Sequence, residues 1–367
     1  ELKVPSGGTN GYLAKYDPTG KLAWARQVVS SSRTANMGVG LDRVGNVYVT
    51  GFFESTATFE STVLTSTGFR DGHLAKYASA GSLVWVRHFG QGSGNLESFG
   101  ITVDDGGNSY VTGMFYGSAQ FGPYAFTATE AYDHYVASFS GSDGAILWAK
   151  HCGSKEGDEA GVKLALGHNN DLYVFGTMSH FLEMGAFQLA GKGNFVARLD
   201  SSSGEVLWAR SLGTNLVSWE SMYGRIAIGS EGCLFVTGGF QGTCVLGNET
   251  LVSQGSWDIY VAKMQTADGA FVWARQMGGE SGEVGLALTV VNSSVYVGGR
   301  FNSTSIDLDP GPGFAWHTDP GAGEGFLVRL DNGGNYLQSW QIGGAGSVWV
   351  CCLATDGGGS IHATGYY

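Results

Sequence analysis

Carboxylates recur at one place in this chain. Glu97, Asp158 or Glu159, Glu220 and Glu283 each stand just before a short apolar run. If those runs line a channel, the charges would ring one mouth of it and hold a cation or repel anions. Asp307 and Asp309, ahead of the Gly311 turn and with Asp319 beyond, have the look of a calcium loop. A hard cation wants about six to eight oxygens, so backbone carbonyls would have to complete the set. Calcium is the one cofactor suggested; otherwise none is expected. The eight His residues are scattered, and His88 and His151 fall at equivalent positions of a repeat, which predicts packing. No Ser-His-Asp arrangement and no Gly-rich phosphate loop ahead of a helix stands out, so no catalytic residue is expected. Of the five cysteines, Cys152, Cys233, Cys244, Cys351 and Cys352, at least one must stay unpaired within the chain, and none shows zinc spacing. Cys233 and Cys244 flank one strand and its following loop, where a local disulfide could form; the other reading makes each Cys a small buried hydrophobe.

The elements that would carry these groups come from a repeat. An alternating run, a Gly-containing turn and a run ending in Trp recur six times, as in AKYDPTGKLAWAR from Ala14, AKYASAGSLVWVR from Ala75 and AKMQTADGAFVWAR from Ala262. The marker tryptophans are Trp24, Trp85, Trp148, Trp208, Trp273 and, in a degenerate copy, Trp340. After each comes a second hairpin ending near Thr-Gly, such as GVGLDRVGNVYVTG from Gly38 and GITVDDGGNSYVTG from Gly100. Asp-Gly, Gly-Asn and Asn-Asn pairs supply the positive φ that tight hairpins need, and the runs are rich in Val, Ile, Tyr, Phe, Trp and Leu.

Two hairpins make a four-stranded blade. The chain starts just before a third strand, at Tyr12 to Tyr16, and stops after a second, at Ser360 to Gly365. The expected fold is therefore all-β: residues 1–367 form a single six-bladed β-propeller of four-stranded antiparallel blades, its ring closed by pairing the N-terminal and C-terminal half-blades. The recurring Trp is expected to pack between neighbouring blades, where its ring buries about 150–250 Å².

Composition agrees. Gly is frequent, at 61 residues, yet lacks the period of collagen, and charged residues are only 14%. A net charge of -12 with no basic stripe argues against nucleic acid. No apolar run approaches the ~20 residues of a membrane span. With no initiator Met and no signal peptide at Glu1, the chain reads as a mature form, a domain or part of something longer. Sequons at Asn248, Asn292 and Asn302 are N-glycosylation candidates, in or near turns, if the protein is secreted by a eukaryote.

At D-G-x-L-A-K-Y (Asp71 to Tyr77), W-D-I-Y-V-A-K (Trp257 to Lys263), G-N-V-Y-V-T-G (Gly45 to Gly51) and the W-A-R-Q ends, the repeat resembles the SBBP-type β-propeller repeat. The stretches Thr56 to Phe59, Ser118 to Gly122 and Ile306 to Gly313 fit that repeat's loop before the third strand. The resemblance implies a propeller, found mostly in secreted and cell-surface proteins and often as a module, and implies no common reaction. A weaker likeness is to quinoprotein propeller repeats, carried by Ala14, Asp17, Gly20 and Trp24 and by the adjacent Cys351 and Cys352. Those enzymes have eight blades, and no Asp/Glu set here matches their calcium and base.

The function expected from these observations is a non-enzymatic, extracellular or cell-surface structural or interaction module. It would bind protein partners or self-associate, as a bead in a filament or matrix. The alternative is a carbohydrate-binding propeller, with Trp219, Trp257, Trp316, Trp349, Tyr116, Tyr124 and Tyr132 as sugar-stacking candidates. A quinone-dependent oxidoreductase or lyase comes third. The recurring Lys15, Lys76, Arg198 and Lys263, and Arg26, Arg87, Lys150, Arg210 and Arg275, read as solvated strand faces.

Overall fold

The computed structural model describes residues 9–154, 157–167, 169–213, 215–216, 225–229, 232–356 and 358–367, apart from the side chains of Thr129 and Glu130. Among these residues all regular structure is strand. Five sheets share one order in which the first, second, third and fourth strands lie side by side. Sheet 1 is Thr34–Leu41, Val47–Phe53, Asp71–Tyr77 and Leu83–Phe89. Sheet 2 is Asn95–Val103, Ser109–Phe121, Tyr124–Phe139 and Ile146–Cys152. Sheet 3 is Glu159–Leu166, Leu172–Met178, Gly193–Leu199 and Val206–Ser211. Sheet 4 is Arg225–Ile228, Cys233–Phe240, Asp258–Gln265 and Phe271–Gly279. Sheet 5 is Glu283–Val291, Ser294–Phe301, Glu324–Leu330 and Tyr336–Ile342. Two hairpins flank them: Gly11–Tyr16 with Leu22–Ser30, and Trp349–Thr355 with Ile361–Tyr366.

By contact the chain divides into two compact units, Glu1–Leu172 with Phe181–Gln188 and Leu199–Val206, and Tyr173–His180 with Leu189–Arg198 and Leu207–Tyr367. In the first, the opening strands of sheets 1, 2 and 3 pack against one another. Its core holds Phe89, Phe115, Phe121 and Tyr135. In the second, the opening strands of sheets 4 and 5 and Trp349–Thr355 pack likewise, over a core with Phe235, Ile259, Phe301 and Phe326.

Local chemistry explains the strands. Turn carboxylates such as Asp42, Asp104 and Asp331 accept the amides of their own turns, which fixes each hairpin's length. The Gly of the Thr-Gly motif has a steric cause. Each opening strand bulges opposite it, between Asn36 and Gly38 and between Gly285 and Ala287. A Cβ at Gly51 or Gly299 would run into the carbonyl of Ala35 or Val284.

The loop expected before each third strand is a second, smaller hairpin, and it pairs outside its own sheet. Thr56–Phe59 pairs with Leu22–Ser30, and Ser305–Asp307 with the end of Phe271–Gly279. Bridges Gln91 to Gln120 and Gly153 to Glu183 repeat the arrangement. The fourth strands Leu22–Ser30 and Phe271–Gly279 thereby gain a cover from the repeat that follows.

The tryptophans act as expected, as pegs between successive repeats. Trp24 Nε1 donates to Ser79 O (3.1 Å), Trp148 to Ser201 O (2.8 Å), Trp208 to Thr266 O (3.0 Å) and Trp273 to Asn332 O (3.1 Å). Each ring lies on a turn glycine of the next repeat. At Gly81, Gly144, Gly204, Gly269 and Gly334 an added Cβ would meet a Trp ring at 3.1 Å or less. The sixth marker is displaced. Gln338 pairs with Arg329 as Trp273 pairs with Lys263, so Gln338 occupies the peg position and Trp340 takes the place of Arg275. Trp340 is accordingly 37% exposed, against 5–7% for Trp85, Trp148, Trp208 and Trp273.

Candidate ligand-binding crevice

The recurring carboxylates do not form a ring. The registers place Leu96, not Glu97, at the position of Glu283: each faces the closing Phe of its second strand, Phe115 or Phe301. Glu159 and Glu283 are fully buried. Glu283 accepts from Gly279 N (2.9 Å), Ser303 N (3.2 Å) and Ser303 Oγ (2.5 Å), tying its own sheet edge to the loop after Phe301. Glu159 accepts from the Ser154 hydroxyl (3.1 Å), and burial pushes its carboxyl up to about 8. Asp158 is exposed and accepts from Tyr132 N, and Glu220 lies outside the described residues.

The two matched histidines are also structural. Asp71 and Asp133 open their third strands fully or nearly buried, and each clamps a fourth-strand side chain: His88 Nε2 at 2.6 Å and His151 Nε2 at 2.5 Å. Sheet 4 makes the same clamp with Gln276 Nε2 donating to Asp258 at 2.7 Å. A reaction that needed imidazole would not be served by a position that also accepts Gln.

The acidic loop serves itself. Asp307 Oδ1 accepts from Asp309 N and Ala315 N, and Asp309 Oδ1 from Gly311 N. No group of three or more His, Cys, Asp or Glu placed to hold a metal occurs among the described residues. The Cys233–Cys244 bridge, one of the two readings, is not made, because the eight residues of Cys233–Phe240 run extended between the two thiols. The sequon residues Asn248, Asn292 and Asn302 are all exposed, Asn292 at a positive-φ turn.

What remains is a set of crevices where neighbouring sheets meet at the ends of their second strands, and the repeat allows them to be compared. Between sheets 1 and 2 the gap is closed by charge. Arg70 pairs with Glu54 and Glu97 and lies over the Phe52 ring at 4.6 Å. At the corresponding positions of sheet 2 stand Tyr132 and Tyr116, stacked 5.8 Å apart, with Asn95 donating to the Tyr132 hydroxyl. Between sheets 4 and 5 the residue ahead of the third strand is Trp257 and the counterpart of Glu97 is Val284. Among the described residues no ion pair closes this gap, and a cavity of about 500 Å³ opens. Its lining comes from the loops flanking both sheets: Gln241, Ser256, Trp257, Ser281, Gly282, Glu283, Val284, Arg300 and Asn302. Arg300 lies over the Trp349 ring, with its guanidinium carbon 4.2 Å from the ring centroid.

Of the aromatic candidates, the structure brings Trp257 and Trp349 to this crevice through Arg300. It pairs Tyr116 with Tyr132 elsewhere, points the Tyr124 hydroxyl at Leu147 O, and stacks Trp316 on Phe314 in the open. Trp219 lies outside the described residues. Arg300 carries no sequence signal, since it sits where other repeats have Phe52 or Met114.

Relatives by sequence are few and distant. An uncharacterized WD repeat-containing protein, L264, of Acanthamoeba polyphaga mimivirus is 24% identical over 45% of this chain, which spans 14% of that protein's length. Among solved structures, a protein of unknown function from Bacteroides caccae aligns over 90% of this chain and 92% of its own, at 10% identity and TM-score 0.41. BamB from Moraxella catarrhalis aligns over 96% and 88%, at 12% identity and TM-score 0.43. The quinohemoprotein alcohol dehydrogenase of Comamonas testosteroni aligns over 94% and 62%, at 12% identity and TM-score 0.44. The family-level match falls on residues 84–114, from the fourth strand of sheet 1 into the second of sheet 2, and it is to SBBP, the beta-propeller repeat.

Proposed function

We propose that this chain is a non-enzymatic interaction module of the extracellular space or cell surface, built as a six-bladed propeller. Its ring would close by adding Gly11–Tyr16 as third strand beside Ile361–Tyr366. The closure is supported by exposure: Ile361–Tyr366 is open along its length, whereas its counterpart Val47–Phe53 is buried throughout. The observation that carries the functional reading is the contrast between the recurrent polar groups and the crevice of sheets 4 and 5. The former are engaged internally, Asp71 by His88 and Glu283 by Ser303, while the latter is open and lined by aromatic and hydrogen-bonding groups. An extracellular setting is supported by the three exposed sequon residues. Self-association, glycan use and the absence of a cofactor belong to the proposal.

The test is electron microscopy with sedimentation velocity on native-source material. Strings, sheets or stable complexes with other proteins support the module. Dispersed single rings that capture no partner would overturn it. Carbohydrate binding is the second reading, favoured by Trp257 and the Arg300–Trp349 stack at one cavity.

A further inference from the structure

The geometry points to the crevice between sheets 4 and 5 as a binding site for a carboxylate-bearing saccharide, a uronic-acid type of ligand. It rests on the reading of this chain as a binding module and names what that crevice takes.

Three features select the ligand. The first is an uncompensated cation. Arg70, in the crevice of sheets 1 and 2, is neutralised by Glu54 and Glu97. Arg300 has no carboxylate partner among the described residues, yet its guanidinium lies over the Trp349 ring, which restrains it. A fixed, planar set of N–H donors matches a carboxylate through paired hydrogen bonds. Among the described residues the one carboxyl lining the cavity, Glu283, is buried and held by Ser303 and Gly279, and burial raises its pKa. It is thus poorly placed to act as the counterion, which leaves that role to the ligand.

The second feature is Trp257. Arg70 and Tyr132 hold this position in sheets 1 and 2 and are already engaged; here an indole lines open space. A flat apolar ring beside hydrogen-bonding side chains suits a pyranose, which has one face of C–H groups and an edge of hydroxyls. Gln241 and Asn302 are exposed on the rim and offer both donors and acceptors for those hydroxyls. The third is size. A volume of about 500 Å³ lies within the range of small-ligand sites and is open to one side, as a chain-like ligand requires. The net charge of -12 disfavours polyanions in general, so a short acidic oligosaccharide fits better than a heavily charged polymer.

The experiment is isothermal titration of the full chain with an oligogalacturonate, beside a neutral galactose oligomer of equal length and free acetate. The expected result is binding of the acidic oligomer, weakened by salt, with the neutral oligomer at least about tenfold weaker and acetate weaker still. Arg300→Gln should cost about tenfold or more, and Arg300→Lys, which keeps the charge but loses the planar fork, should fall between. Trp257→Ala should abolish binding, while Tyr132→Phe in the other crevice leaves it unchanged. Melting curves establish that each variant is folded. No binding by folded wild-type protein, equal binding by Arg300→Gln, or equal affinity for the neutral oligomer would overturn the proposal. Such failure with partner complexes intact by sedimentation refutes the site and leaves the module. Binding accompanied by cleavage of the oligomer retains the site and refutes the non-enzymatic reading.

Discussion

The peg-and-glycine joint makes a quantitative demand at Trp208 and Gly269. Trp208 is 5% exposed, donates to Thr266 O and covers Gly269. Trp208→Ala removes a large buried ring and should cost about 3–5 kcal/mol. Gly269→Ala has two separate costs. Its φ of +73° charges an L-residue about 1–2 kcal/mol, and the new Cβ would stand 2.8 Å from the Trp208 ring, adding about 1–3 kcal/mol of overpacking. Gly20 supplies the control, because its φ is +81° and nothing lies within 4 Å of an added Cβ. Gly20→Ala should therefore show the backbone cost alone. In the Trp208→Ala background, Gly269→Ala should fall toward that value, with Arg210 Cγ, also 2.8 Å from the added Cβ, keeping part of the cost; a coupling of about 1–3 kcal/mol is expected. Urea denaturation of the four members of the cycle and the control measures all of this. Additive costs, or equal costs for Gly20→Ala and Gly269→Ala in the parent, would refute the joint as described.

Three further outcomes are expected. Burial lifts the Glu159 carboxyl to about 8, so the folded chain keeps a proton that the unfolded chain loses near 4.5. That contribution is complete below about pH 4.5 and is lost as pH rises toward 8; the unfolding free energy from urea titrations should decline across this window by a few kcal/mol at most, and Glu159→Gln should flatten the decline. His88→Gln should cost less than about 1 kcal/mol, since Gln276 already fills the equivalent clamp. Asp71→Ala should cost about 2–4 kcal/mol, because it strips acceptors from both His88 and the Thr67 amide; thermal melts of the two variants separate the cases. If the ring closes in the register of sheet 1, where Val49 faces Ala75, then Ala14 faces Ala363. The Ala14→Cys/Ala363→Cys variant should oxidise to an intramolecular disulfide found by peptide mapping, and persistent free thiols at both positions would count against closure.

Much of the fold was legible because period-two alternation and glycine turns are local properties. Thr50-Gly51 and its equivalents ended strands where the bulge demanded a residue without Cβ, and the Trp pegs were visible as a period. Trp340 misled because a Trp is a stronger landmark than a turn. Only the ladder, with Gln338 opposite Arg329, shows that the last copy is offset by two residues. The carboxylates misled for another reason: sequence gives their recurrence and not their direction, and buried amides at Gly279 and Ser303 drew Glu283 inward. The crevice was legible only through Trp257 and Trp349, two of seven scattered aromatic candidates. It depends on what Trp257 and Val284 fail to do, and on Arg300 meeting a Trp349 that is distant along the chain.

The small exchanged hairpins have a consequence for how such a chain can gain or lose repeats. If each sheet were self-contained, a breakpoint in any sheet-to-sheet linker would be tolerated. Here the hairpin that follows Phe53 shields the fourth strand Leu22–Ser30, and the one that follows Phe301 shields Phe271–Gly279. Excising sheet 1 between its linkers would remove the cover of the strand before it. The heritable unit is then offset from the visible one: a recombination junction inside the small hairpin's flanks keeps each cover with the strand it protects, and a junction between sheets does not.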